Sequence, residues 1–401
     1  MASTGSATTV VESPKVYKTA LGEDFVPPQF TIKDILDAIP KHCFERSFFR
    51  SFAHVLRDFV YIALLFYAAT HIQYIDSLAL RVLCWAAYGF VQGMVGTGLW
   101  VLAHECGHGA FSTSRFANDT VGWVLHSALF VPYHSWRISH SKHHKATGHL
   151  SRDMVFVPKS QETYLISRDL SELTEEAPIA SLYWLFVQQL FGWPTYLLTN
   201  VTGQKYPSVA KWQINHYWPN APIFDAKDFW DIIISDLGIL TASAVSYFAI
   251  QKFGIVNYAL YYFMPYLWVN HWLVCITYLQ HTDPSLPHYE ASEWNFARGA
   301  AATIDRGFLG PIGRHVFHEI IETHVAHHYS SRIPFYHAEE ATQAIRKVMG
   351  SHYRVDRTNV LLALWKVCRT CQFVEGDGVK MYRNGNGIGV KPQELESKKR
   401  A

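Results

Sequence analysis

The chain is short of charge. Only 17% of its 401 residues are Asp, Glu, Lys or Arg, where soluble domains usually carry about a quarter. Against that, 49% are hydrophobic and 15% aromatic, so a bilayer is the first environment the composition points to. The length suffices for one large or two ordinary domains. The formal net charge is +2, and no long single-sign run marks a nucleic-acid tract, so no nucleic-acid partner is expected. Cysteine is sparse: Cys43, Cys84, Cys106, Cys275, Cys368 and Cys371 are scattered rather than arrayed as a secreted disulfide framework, and read as reduced thiols. Cys368 and Cys371 form a C-x-x-C, but no second pair completes a four-cysteine zinc site. The first 25 residues lack the continuous apolar stretch of a secretory signal and are expected to lie disordered in the cytosol.

What is present is a set of apolar runs. Residues 59–75 and 82–103 contain no Asp, Glu, Lys or Arg. A bilayer core of about 30 Å needs roughly 20 helical residues, so the pair reads as a transmembrane hairpin. Gly89 and Gly93 give the second run a small-residue face for close helix packing, within the chain rather than between copies. A second hairpin is expected from residues 232–250, which include Asp236, and residues 255–280, with a kink at Pro265. Asn270 and His271 lie at membrane depth in that last run; they are candidates for an acyl pocket or for an interhelical polar pair. The shorter runs 121–133 and 182–201 carry His126, Pro132, Gln188, Gln189 and Pro194 and are expected as helices lying in the interface.

Histidine is abundant, with 22 residues, and it is patterned. "HECGH" (104–108) ends the second span, "HSKHH" (140–144) precedes the third and "HVAHH" (324–328) follows the fourth. Two crossings separate the last two clusters, so all three can meet at one membrane face. Arg115, Arg137, Lys142, Lys145, Arg152, Lys159, Arg298, Arg306, Arg314 and Arg332 fall on that side, which the positive-inside rule makes cytosolic. Helical spacing puts His140, His143 and His144 on one face, likewise His324, His327 and His328, and likewise His104 and His108. Random placement of 22 His in 401 positions gives roughly a 7% chance of one H-x-x-H-H and well under 1% of two. Eight imidazoles exceed the four ligands of one tetrahedral zinc and fit two metals. His281 or His318 is a ninth candidate, and Glu105, Asp153, Glu319 and Glu322 are candidates to orient ligands. "HECGH" also satisfies H-E-x-x-H, the zinc protease signature, which leaves the H-x-x-H-H pair unexplained. A metal transporter would need polar residues through the spans, whereas these histidines lie at one edge.

The three boxes, together with "PKHCFERS" (40–47), "VPYHSWRISHSKHHKATGHLSRDMVFVP" (131–158), "YLQHTDPSLPHY" (278–289) and "HEIIETHVAHH" (318–328), resemble the membrane-bound acyl-lipid fatty acid desaturases, and most closely the fungal delta-12 oleate desaturases. The resemblance spans roughly residues 27–380. It implies an all-α integral membrane protein of four transmembrane helices in two hairpins, with interfacial helices and a cytosolic helical cap holding a histidine-rich diiron site. His104, His108, His140, His143, His144, His324, His327 and His328 become iron ligands, with His281 added as the ninth. It also implies two iron ions, O2 as co-substrate and an oleoyl phospholipid as acyl-lipid substrate, converted to linoleoyl. Delta-15, bifunctional and hydroxylating enzymes share the same boxes. Gly109 departs from the plant pattern, which often continues the first box with histidine. No H-P-G-G heme motif is present, so a separate cytochrome b5 and its NADH-dependent reductase are the implied electron donors. The terminal Lys398, Lys399, Arg400 and Ala401 fit a dilysine signal for the endoplasmic reticulum membrane, with the active site and both termini cytosolic. The expected organisation is a cytosolic tail and amphipathic lead-in over 1–50, a membrane desaturase domain over 51–380 and a flexible cytosolic tail over 381–401.

Overall fold

The computed structural model describes residues 15–164, 178–386 and 388–390; the dilysine tail lies outside them. The chain is mostly helical. Its principal helices are α1 (Ile32–Ala38), α2 (Phe48–Ala69), α3 (Leu78–His108), α4 (Arg115–Ser127), α5 (Tyr133–His144), α6 (Pro178–Thr199), α7 (Phe229–Phe253), α8 (Met264–His281), α9 (His324–Tyr329), α10 (Phe335–Met349) and α11 (Val360–Thr370). Serines start three of them: Ser47, Ser77 and Ser114 each accept a backbone N–H at the first turn of α2, α3 and α4.

Among the described residues, three segments are long and apolar enough to cross a membrane: Phe48–Tyr74, Leu78–His108 and Ala226–Phe253. The run expected as a fourth span is not one α-helix. It begins as Ile255–Tyr258, widens to a π-helical turn at Ala259–Phe263 and continues as α8. Pro265 explains the break, because it cannot donate to the carbonyl four residues earlier. That carbonyl, on Tyr261, instead accepts from the Tyr88 hydroxyl at 2.9 Å.

The expectation of an all-helical fold is corrected by short strands. Pro287–Tyr289 (β1), Phe373–Glu375 (β2) and Val379–Arg383 (β3) form an antiparallel sheet with β3 in the middle, joining the "LPHY" stretch to the C-terminal region. β3 therefore runs across residue 381, where the flexible tail was expected to start, and Val390 N–H still pairs with the Ala20 carbonyl at 2.7 Å. Disorder through residue 25 is also corrected: Tyr17–Lys18 pairs with Asp24–Phe25, and Ala20 N–H bonds to the Pro284 carbonyl. The apolar run 121–133 is two elements, since α4 ends at Ser127 and Phe130 takes φ 54° before Pro132 opens α5.

The bundle is built on α3. Its first half is largely exposed, while nearly every residue from Gln92 to Cys106 is buried. A Cβ on Gly93 would sit 2.2 Å from the Trp268 Cβ, and one on Gly89 2.8 Å from Met264 Cγ, so the small-residue face is filled by α8 of the same chain. Arg306, counted above among the basic residues of the cytosolic side, is buried: it pairs with Asp283 at 3.0 Å and with Asp356, and donates to the Leu279 carbonyl. It fastens the end of α8 to the loops that carry the site.

Candidate metal centre

Four helix ends deliver the histidines. His104 and His108 lie on the last turn of α3, which Gly109 terminates with φ 69°; the Gly109 carbonyl accepts from Arg46 Nη1 at 3.0 Å. His140, His143 and His144 close α5, and His281 closes α8. The short helix α9 has no cap of its own. Asp305 Oδ1 accepts the Val325 N–H at 2.8 Å, an anchor donated from a distant loop.

These ends converge. Ligand atoms of His104, His108, His140, His144 and His327 lie within 4.8 Å of one another, and those of His143, His281 and His328 form a second such group. His324 joins the second through His281, their Nε2 atoms 2.9 Å apart. The groups adjoin, with the His144 and His328 rings stacked at 4.1 Å. Within the first, Nε2–Nε2 separations are 3.1 Å for His104–His140, 3.2 Å for His104–His108 and 3.1 Å for His140–His144. Two imidazoles at right angles on one ion, with bonds of about 2.1 Å, have nitrogens about 3.0 Å apart. The spacing suits ligation, whereas five imidazoles packed nitrogen to nitrogen cannot all satisfy one another as neutral hydrogen-bond partners.

The outer contacts aim the rings. His143 Nδ1–H donates to Asp153 Oδ1 at 2.7 Å, and the same oxygen accepts from the N–H groups of Val155 and Phe156. His328 Nδ1 meets the Thr147 hydroxyl at 3.1 Å. This leaves Nε2 of His143, His327 and His328 buried with no hydrogen-bond partner among the described residues, a cost that a bound cation would remove. Burial first, and then neighbouring imidazoles, hold His140, His144, His327 and His328 well below the ordinary histidine range. They are therefore neutral, the form that binds metal.

Other expected residues stand apart. His318 is not in the cluster: its Nε2 meets Asp58 Oδ2 at 2.8 Å, which leaves His281 in the ninth position. Glu105 Oε2 accepts the Phe335 N–H at 3.1 Å and so anchors α10; its Oε1 lies 3.8 Å from His104 Nδ1, beside a cluster ligand rather than among the clustered donors. Neither Glu319 nor Glu322 belongs to a clustered donor group.

A cavity of about 750 Å³ opens on the centre, with His104, His140, His143, His281 and His324 on one flank. Trp100, Trp136, Trp193, Phe191, Leu273 and Ile276 give it apolar walls. Much of the opposite wall is α6, read in sequence as an interfacial helix. Its uncharged length was legible, but nothing local showed that its Phe191–Tyr196 face covers the histidines. Asn270 and His271 do not line the cavity; Cys368 and Cys371 do, as free thiols.

Long apolar helices, nine convergent imidazoles able to hold metal and an apolar cavity opening on them mark a membrane-capable chain with a histidine-rich centre facing an apolar cavity. Comparison with known proteins agrees. The fatty acid desaturase profile matches residues 81–359, and a domain of unknown function, DUF3474, matches residues 10–68. The chain is 50% identical over 382 residues to the delta(12) fatty acid desaturase of Mortierella isabellina, covering 92% of this chain and 94% of that one. It is 50% identical over 378 residues to the delta(12) fatty acid desaturase of Mortierella alpina, covering 91% and 93%. It is also 48% identical over 408 residues to an oleate hydroxylase of Claviceps purpurea, covering 94% and 85%. The chain belongs to the fatty acid desaturase family.

Proposed function

We propose that this chain is a delta-12 (omega-6) acyl-lipid desaturase that inserts the second cis double bond into an oleoyl chain carried on a phospholipid. The observation that carries the reading is an apolar cavity that opens on five of nine clustered imidazoles, in a chain half identical to two delta(12) desaturases over nearly its whole length. His104, His108, His140, His144 and His327 hold one iron; His143, His281, His324 and His328 hold the other. When bound, the iron pair supplies the oxidising power to take two hydrogens from an unactivated chain. The balance is oleoyl plus O2, two electrons and two protons, giving linoleoyl and two waters.

The chain's own residues aim and exclude. A methylene offers no polar handle, so position is fixed by the walls, with Trp100 and Trp136 beside His104 and His140. A substrate already dissolved in lipid gains little from entering another apolar space. Cavity shape, rather than burial, therefore selects the chain. Asp153 and Thr147 keep the His143 and His328 rings fixed while substrates exchange.

The same reading has four crossings, with the segment 255–280 as the fourth, in the endoplasmic reticulum membrane, and puts the centre and both termini in the cytosol. The catalytic domain runs from residue 51 through β3 to Arg383, with a lead-in before it and a tail after it. Electrons come from a separate cytochrome b5 and its NADH-dependent reductase, and the cytosolic basic residues suit an acidic donor. The hydroxylase relative supports one second reading, oxygen insertion at carbon 12. Expression in a host lacking linoleate, followed by fatty acid profiling, decides. New 18:2 with its second double bond at carbon 12 is expected; only a hydroxy acid, or only 18:3 made from supplied 18:2, overturns the assignment.

A further inference from the structure

A second donor cluster lies apart from the nine imidazoles. His42, in the turn Lys41–Phe44 of the "PKHCFERS" stretch, approaches His337 and Glu340 on α10, and the ligand atoms of the three lie within 4.8 Å of one another. His337 and Glu340 are three residues apart on one helix face. His42 Nε2 is 2.8 Å from Glu340 Oε2, and the His42 and His337 rings meet edge-on with centroids 5.6 Å apart. Two donors on one ion with bonds of about 2.0–2.1 Å sit about 2.9–3.4 Å apart, so the trio closes on a cation with small side-chain movements. The set is half-exposed and does not line the cavity at the histidine-rich centre.

We propose that His42, His337 and Glu340 form a site for one divalent cation of the zinc class, independent of the histidine-rich centre. Two imidazoles and a carboxylate are a zinc donor set, with water completing the tetrahedron. Oxygen-rich ions such as magnesium or calcium find too few oxygens here. The cation joins segments from opposite ends of the sequence. The same stretch already holds both sides: Arg46 donates to the Gly109 carbonyl at the end of α3, and the Ser47 N–H donates to the Tyr336 hydroxyl on α10. Zinc here clamps α10 onto the end of the first histidine box, which makes it a structural clip.

The test uses full-length, iron-loaded protein in detergent, equilibrated with zinc and analysed for both metals. One zinc per chain, bound saturably with iron content unchanged, is expected, and zinc should raise the unfolding temperature by a few degrees. His337→Ala and Glu340→Gln should each weaken zinc binding at least about tenfold and abolish that rise. No saturable zinc, zinc gained only as iron is lost, or wild-type zinc affinity retained in both variants overturns the site. Should His337→Ala fail to purify, Glu340→Gln, altering a half-exposed side chain, carries the test alone.

Discussion

The two ends of α3 bury opposite chemistry. Toward its start, and along α2 and α7, large apolar side chains face outward: Leu64, Leu83, Leu237, Leu240 and Phe248 are all exposed. Toward its finish the interior is crowded with imidazoles, and His104, His143, His144, His324, His327 and His328 are buried. A water-soluble protein arranges these the other way round. One solvent explains the first region, because hydrocarbon makes outward leucines cheap. One ligand class explains the second, because neutral imidazoles held apart from water by their neighbours are stable only when something satisfies their inward nitrogens.

Substitutions can break each half of that contrast. The largest effect is expected from His143→Ala, which removes an inward nitrogen together with the ring that Asp153 orients. Product in a linoleate-free host should vanish while membrane insertion is retained; retained product would remove His143 from the ligand set. Next is Ile345→Ala, in the apolar core beneath α9 and fully buried. It should cost about 2–5 kcal/mol by thermal unfolding in detergent. Leu240→Arg, midway along an outward-facing helix, should cost about 2.5–3.5 kcal/mol in a membrane-insertion assay; insertion as good as wild type would mean that this face does not meet lipid. Asp153→Asn should lower metal affinity or turnover about 10–100-fold with the fold intact. Smallest is Leu240→Ala, expected within about 0.5 kcal/mol of wild type.

Much of the site was legible because its signal is repetition. Two H-x-x-H-H motifs and one H-x-x-x-H mark helix faces, and counting crossings brings them to one side. His281 could be named because a histidine ending an apolar run sits at the same depth as the boxes; His318 had equal standing until Asp58 was seen to occupy its ring nitrogen. The membrane-capable lengths of α2, α3 and α7 were legible from long apolar runs, uncharged in the first two and broken only by Asp236 in the third. The strands were not: Pro287–Tyr289 and Val379–Arg383 are short, and their pairing joins segments far apart in sequence. The π-helical turn before α8 was read as a proline kink, since sequence marks the missing donor but not how the backbone absorbs it. α6 was recognised as apolar and uncharged, yet its place as the cavity wall is set by packing against α8. Arg306 carried the signature of a surface cation, and only the convergence of Asp283 and Asp356 reveals it as a buried tie.

The central claim is that nine imidazoles from four separated helix ends share one two-metal centre. The direct measurement is iron content per chain of the purified full-length protein, for wild type and for variants that each remove one inward nitrogen. The account expects two irons in wild type, reduced in both His144→Ala and His328→Ala, whose rings stack where the two groups meet. About one zinc and no iron, or two irons undisturbed by either substitution, would contradict it.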